Sequence, residues 1–292
     1  MDEDRTRYPG RDELPFKVSR DSFGTQLAQF PWWLLGIFLV AIWAGVIILT
    51  QEKYNEAFNF IIVGVRYTII TSLTAFGIAT VIGLMTGIAR LSQNVFFRNL
   101  AIFYIEIIRG IPMLVLIFFL ALVGVPFVVD SINAFGVDLV EKGYSFIGEL
   151  FVKFDNKNIS MNARAVTALS VTYGAFLAEV FRAGIQSIGR GQAEAARSLG
   201  MSAPQAMRYI ILPQAVRNIL PALGNDFVAM VKDSSLISVL AVRDITQLAK
   251  LYSGRTFRYR EAFVTLSVIY LTMTVTLSLF AQQFERWLRK DD

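Results

Sequence analysis

Apolar residues along this chain gather into blocks about as long as a bilayer is thick, separated by shorter polar stretches. A hydrocarbon core about 30 Å deep needs about 20 helical residues to cross it. The run PWWLLGIFLVAIWAGVIILT, residues 31–50, has that length, and Trp32 and Trp33 suit the membrane interface. It predicts a first transmembrane helix. Residues 1–30 are polar, carry Pro9, Gly10 and Pro15, hold no apolar core of the signal-peptide kind, and read as a cytoplasmic tail. Five further crossings are expected at about 58–89, 100–125, 161–181, 204–230 and 262–280. Gly83 and Gly87 have the small-xxx-small spacing that permits close helix approach, a spacing that suits ordinary membrane-helix glycines equally well.

The crossing at 204–230 differs from the rest, because it carries Pro213, Arg217, Pro221, Asn225 and Asp226. Prolines free carbonyls, and an ionised side chain near the bilayer centre costs on the order of 3 kcal/mol. Such a helix must be wrapped by others or line a water-filled cavity, and broken, polar helices often line substrate paths.

Composition strengthens the membrane reading. The 292 residues are 54% hydrophobic and 17% charged, with a mean hydropathy of +0.51, too apolar for a soluble chain of this size. There is no cysteine and no histidine, which removes disulfides, thiolate chemistry, the commonest general base and the usual metal ligands. A net charge of +5 without a basic run interleaved with aromatics makes nucleic acid a poor partner. Six crossings put both termini on one side. Five basic residues precede Pro31 and only Lys53 follows before Phe58, which favours cytoplasmic ends.

On that topology the loop 189–203 faces the cytoplasm. Ala193, Ala196 and Leu199 share one apolar stripe, and Glu194 and Arg197 are spaced to pair across a turn. Gly200 is placed to end this short helix in the left-handed conformation, and Ser202-Ala-Pro-Gln205 reads as a capping box for the next. A plain amphipathic loop on the lipid surface would look similar.

The spacing Glu194-Ala195-Ala196, then Gly200, then Ile210, Leu212 and Pro213 resembles the EAA loop of type I ABC-transporter permeases. Gly191-Gln192, Leu199 to Ser202 and Ile211 to Ala215 are similar to the polar amino acid branch of that family, whose members carry His/Glu/Gln/Arg-type substrates. YIEIIRGIPMLVLIFF (104–119) resembles the branch's YxExxRGTPLLVQ, with Ile111 for threonine and Leu116 for glutamine. YGAFLAEVFRAGIQSI (173–188) resembles GAYxAExxRxGIxS, with Phe176 for tyrosine, and LPALGNDFVAMVKDSSL (220–236) resembles LPxLxNxxIxLxKDTSL.

The resemblance implies an all-α, polytopic membrane protein with the type I importer fold: a five-helix permease core over 58–290 plus one extra N-terminal transmembrane helix. Residues 126–160 are then an unusually long external insertion, partly helical, against the binding protein or bracing the dimer. The family works with two ABC ATPase subunits, a second permease subunit, identical or homologous, and an external solute-binding protein, in a bacterial cytoplasmic (inner) membrane. ATP and magnesium belong to the partner ATPase. The chain itself contains no GxxxxGK[ST] sequence to cradle phosphates, so it is not read as an enzyme. Gln192, Glu194, Ala195, Ala196, Leu199 and Gly200 would form the ATPase-coupling set, with Gly200 letting the next helix pivot close by.

An amino acid substrate needs acceptors for its ammonium and donors for its carboxylate. Thr68, Ser72, Gly174, Phe176, Glu179 and Asn225 are expected to line a pathway between the second, fourth and fifth crossings, with Asp226 and the Lys232-Asp233-Ser234 cluster where the broken helix ends. Glu106 and Arg109 read either as pathway residues or as an i, i+3 structural pair. Glu179 has Arg182 as an alternative partner, and Lys232 and Asp233 can equally be a stabilising ion pair. Two other readings remain: an importer permease for another small solute, or a membrane scaffold subunit. An intramembrane enzyme fares worse, for want of histidine, cysteine or clustered carboxylates.

Overall fold

The computed structural model describes residues 32–288, so the expected N-terminal tail lies outside the described residues. Every regular element within them is helical. The chain divides into two compact units between Trp43 and Ala44. The first contributes the opening of α1 (Trp32–Thr50), an uninterrupted apolar helix. The rest of the description concerns the second.

Its elements are α2 (Glu52–Ile61), α3 (Gly64–Arg90), α4 (Val95–Gly110), α5 (Met113–Phe119), α6 (Val125–Glu141), α7 (Ser145–Val152), α8 (Met161–Gln186), α9 (Arg190–Ser198), α10 (Ala203–Ala206), α11 (Leu212–Asp233), α12 (Ile245–Thr256) and α13 (Tyr259–Leu288). Among the described residues, four stretches are long and apolar enough to span a membrane: Glu52–Arg90, Met113–Glu141, Met161–Gln186 and Tyr259–Arg286. Leu35–Thr50 is a shorter apolar helix, and α11 is too polar to qualify by composition.

The centre of the bundle is α3 against α8. A Cβ on Gly83 would lie 2.7 Å from Leu177 Cβ, and one on Gly87 2.9 Å from the Ala178 carbonyl, so this glycine pair is a specific close contact. Thr71 Oγ1 donates to Asn162 Oδ1 at 3.1 Å and Ser170 Oγ to the Ala75 carbonyl at 3.2 Å. Contacts that advance together along both helices mean that α3 and α8 run parallel. α11 runs against them: Asn218 reaches Ser187, Gly184 accepts Ile219 where any Cβ would collide, and Tyr173 reaches Asp233. α13 starts beside the start of α2, through Arg258 and Glu56 at 2.5 Å, and so runs with α3. The bundle therefore alternates direction as consecutive crossings must, α11 included. Leu169, Leu177, Ile117 and Met230 fill its core.

Two expectations change here. The apolar run predicted as one crossing over 100–125 is divided by Pro112: α4 stops at Gly110, and the membrane-length stretch is Met113–Glu141. Proline disfavours helical geometry in the residue before it, and Ile111 is extended at φ −108°, ψ 137°. That stretch also runs deep into the segment read as an external insertion from residue 126. Second, the prolines expected to break the fifth crossing do not. A π turn over Met207–Ile211 absorbs Pro213 at the start of α11, and α11 continues through Pro221 to Asp233. Gln214 Nε2 donates to the Ile210 carbonyl at 2.9 Å within this irregular turn. A second π turn, Leu120–Gly124, precedes Pro126 in the same way, and Arg164 Nη1 donates to the Ala121 carbonyl at 3.4 Å.

Candidate functional site

The loop between α8 and α11 is fixed at both ends by backbone geometry. At the end of α9, Gly200 N–H donates to the Arg197 carbonyl at 2.9 Å and Met201 N–H to the Ala196 carbonyl at 3.1 Å. This pair of bonds is a Schellman motif, and it requires the left-handed φ of +84° at Gly200. Gln205 Oε1 then accepts the Ser202 N–H at 2.8 Å, and the capping box expected over Ser202–Gln205 is present. No atom lies within 4 Å of a Cβ built on Gly200, so its glycine serves the turn rather than a close approach by the next helix. The coupling set divides by face. Ala196 is buried and Ala193 half-buried, whereas Gln192, Glu194, Ala195 and Leu199 are exposed, Leu199 at 83%. Glu194 and Arg197 are both exposed and form no ion pair with each other.

Glu179 is already neutralised. Arg90, at the end of α3, contacts one carboxylate oxygen, and Arg182 Nη2 bonds the other at 2.8 Å. Arg182 also reaches Gln186. The carboxylate thus ties α3 to the end of α8 that leads into the coupling loop. Glu106 and Arg109 do not pair; the Arg109 guanidinium instead lies 5.8 Å from the Phe176 ring centroid.

The remaining pathway candidates separate into two groups. Tyr173 OH donates to Asp233 Oδ2 at 2.7 Å, and the Tyr173 ring lies 6.1 Å from that of Phe176. Asp226, half-buried, is two helical turns before Asp233 on the same side of α11, next to exposed Asn225. Asp233, Tyr173, Phe176 and Arg109 therefore form one connected row from α11 across α8 to α4. The others serve packing. A Cβ on Gly174 would lie 2.7 Å from Ile82 Cγ2 and 2.9 Å from Tyr104 OH, so Gly174 admits neighbouring helices instead of facing a path. Thr68 Oγ1 accepts the Ile245 N–H at 3.2 Å, and Ser234 Oγ donates to the Val231 carbonyl at 2.7 Å. Ser72 Oγ is buried without a partner. Lys232 is exposed while its neighbour Asp233 turns to Tyr173.

Sequence reading passed over three groups. Tyr173 opens the motif that supplied Gly174 and Phe176, and its position was a usable signal. Arg90 had none, since its contact with Glu179 spans 89 residues of chain. Asp244, outside the spans, caps α12 by accepting from Gln247 N–H at 2.9 Å and Thr246 N–H at 3.3 Å. Burial pushes its carboxyl up to about 6, against the opposing pull of those two N–H groups and of Lys250.

Comparison with known proteins follows the same outline. Residues 79–290 match the family described as binding-protein-dependent transport system inner membrane component. A probable amino-acid ABC transporter permease of Bacillus subtilis, YckA, is 33% identical over 231 residues, 79% of this chain and 90% of that protein. The glutamine transport system permease GlnP of Escherichia coli K12 is 30% identical over 233 residues, covering 80% and 94%. A crystal structure of an amino acid ABC transporter with histidines superposes with a TM-score of 0.65 at 36% identity, over 82% of this chain and 97% of that one. The inward-facing MetNI methionine transporter shares the fold at a TM-score of 0.59 and 18% identity, over 78% and 96%.

Proposed function

Because this chain belongs to the family of binding-protein-dependent transport system inner membrane components, we propose that it carries polar amino acids across a bacterial inner membrane as the permease subunit of an ABC importer. In this reading two ATPase subunits, a second permease copy or homologue and an external solute-binding protein complete the machine, and both termini are cytoplasmic. ATP and magnesium act in the ATPase. The observation that carries the reading is the coupling loop: a nine-residue helix stopped by a Schellman motif, with Gln192, Glu194, Ala195 and Leu199 unburied on one side. A surface of that kind fits a groove on a partner. Closure of the ATPase pair would draw two such helices together and shift the bundle between inward and outward states.

The substrate row follows from zwitterion chemistry. Asp226 and Asp233 on α11 offer acceptors for an ammonium, and Arg109 offers a planar donor fork for a carboxylate. Tyr173 and Phe176 lie between them. The relatives named for amino-acid or glutamine transport support this choice of substrate class over another small solute. The experiment is ATP-driven uptake by proteoliposomes holding the complete complex, with a panel of labelled polar amino acids and uncharged sugars as controls. Uptake of an amino acid that falls at least tenfold in Asp233→Asn and Arg109→Gln supports the reading. Uptake of sugars alone, or none without loss of ATP hydrolysis, contradicts it.

A further inference from the structure

The α6–α7 hairpin is built tightly inside and finished outside with large apolar side chains. Gly143, at φ +89°, turns the chain after α6, and α7 packs back along it. At the crossing, a Cβ on Gly136 would lie 2.9 Å from the Gly148 carbonyl and one on Gly148 2.7 Å from the Gly136 carbonyl. Asn133 Nδ2 donates to the Val152 and Phe154 carbonyls at 2.8 and 3.0 Å, and Asn156 Nδ2 donates to the Pro126 carbonyl at 3.2 Å. The opposite face of α7 carries Phe146, 92% exposed, with Ile147 and Leu150 beside it. At the base of the hairpin Phe135 and Phe151 meet edge to face at 5.7 Å. They help to line an apolar groove of about 270 Å³, completed by Phe127, Val128, Ser131 and Ile132.

We propose that α7 is an interfacial anchor: Phe146, Ile147 and Leu150 enter the bilayer leaflet at that end of the bundle, and the groove beneath receives a lipid acyl chain. Three observations favour lipid over a protein partner. The exposed apolar seam of the membrane-length stretch Met113–Glu141, through Phe118, Leu122 and Phe127, leads without a polar interruption into the groove. The carbonyls at the end of α7 are satisfied by Asn133 rather than left to water, as a dry surrounding requires. Exposed Lys142, Tyr144 and Lys153 flank α7 at both ends, where long amphipathic side chains reach headgroups.

The chain has no cysteine, so single-site labelling needs no prior substitution. Phe146→Cys, Leu150→Cys and Lys153→Cys are made in the full chain, spin-labelled, and placed in lipid nanodiscs. Paramagnetic relaxation by oxygen and by a water-soluble nickel chelate is then compared at each site. The anchor predicts loss of the nickel effect at 146 and 150, strong oxygen relaxation there, and nickel access at 153. Nickel access at 146 equal to that at 153 would overturn the proposal. So would protection of 146 that arises only when the solute-binding protein is added, which would assign this face to a protein. Thermal unfolding of each labelled variant matching the unsubstituted chain verifies that a low nickel effect reports burial in lipid.

Discussion

Gly200 has open space around it and still cannot be replaced freely, because its backbone sits at φ +84°. A β-branched side chain in that conformation costs about 1–2 kcal/mol, enough to unseat the Schellman bonds to Arg197 and Ala196. Gly200→Val should uncouple ATP hydrolysis from uptake while the chain still inserts and folds, whereas Gly200→Asn, which tolerates the left-handed region, should retain most of the uptake. Parallel assays of uptake and hydrolysis on the two variants check this. Asp244 offers a second test. Its folded carboxyl titrates near 6, above its ordinary 3.8, so the fold favours the neutral form. That contribution is complete below pH 3.8 and is lost as pH rises through 6. Asp244→Asn keeps an acceptor for the α12 N–H groups without the charge. Thermal unfolding at pH 4 and pH 7 should therefore show a smaller fall for the variant than for the unsubstituted chain.

At the scale of elements, the apolar blocks at 31–50, 58–89, 161–181 and 262–280 fall on helices, because a bilayer dictates block length directly. The loop 189–203 was equally legible: left-handed turns and capping boxes are local, and their residue types sit next to the bonds they make. Two things were not. Pro112 divides a block that is apolar apart from Glu106 and Arg109, and hydropathy is blind to a backbone break of that kind. The contact of Glu179 with Arg90 and the packing role of Gly174 depend on which neighbours arrive from distant parts of the chain, so a motif match put both on a pathway. The structure gives Glu179 to a helix clamp between Arg90 and Arg182. Removing one of its charge-assisted bonds costs about 1.5–3 kcal/mol, at the lower end here because the groups remain partly exposed. Glu179→Gln should accordingly lower the unfolding temperature of the purified chain and leave substrate selectivity across the amino acid panel unchanged.

For the whole molecule, the parallel pair α3 and α8, crossed by the antiparallel α11, makes one mechanical unit whose end carries the coupling loop. Glu179 joins α3 to α8 near that end, and Asn218 joins α11 to Ser187 just before α9 begins, so a push on α9 reaches three helices together. The central claim is that this push comes from an ATPase seated against the exposed side of α9. The most direct measurement is site-specific cross-linking in the assembled complex, with Leu199→Cys on the exposed side and Ala196→Cys on the buried side. A cross-link from position 199 to a P-loop ATPase, strengthened or lost when non-hydrolysable nucleotide is added, with none from position 196, is the predicted result. An assembled complex in which 199 reaches lipid or solvent alone, in every nucleotide state, would contradict it.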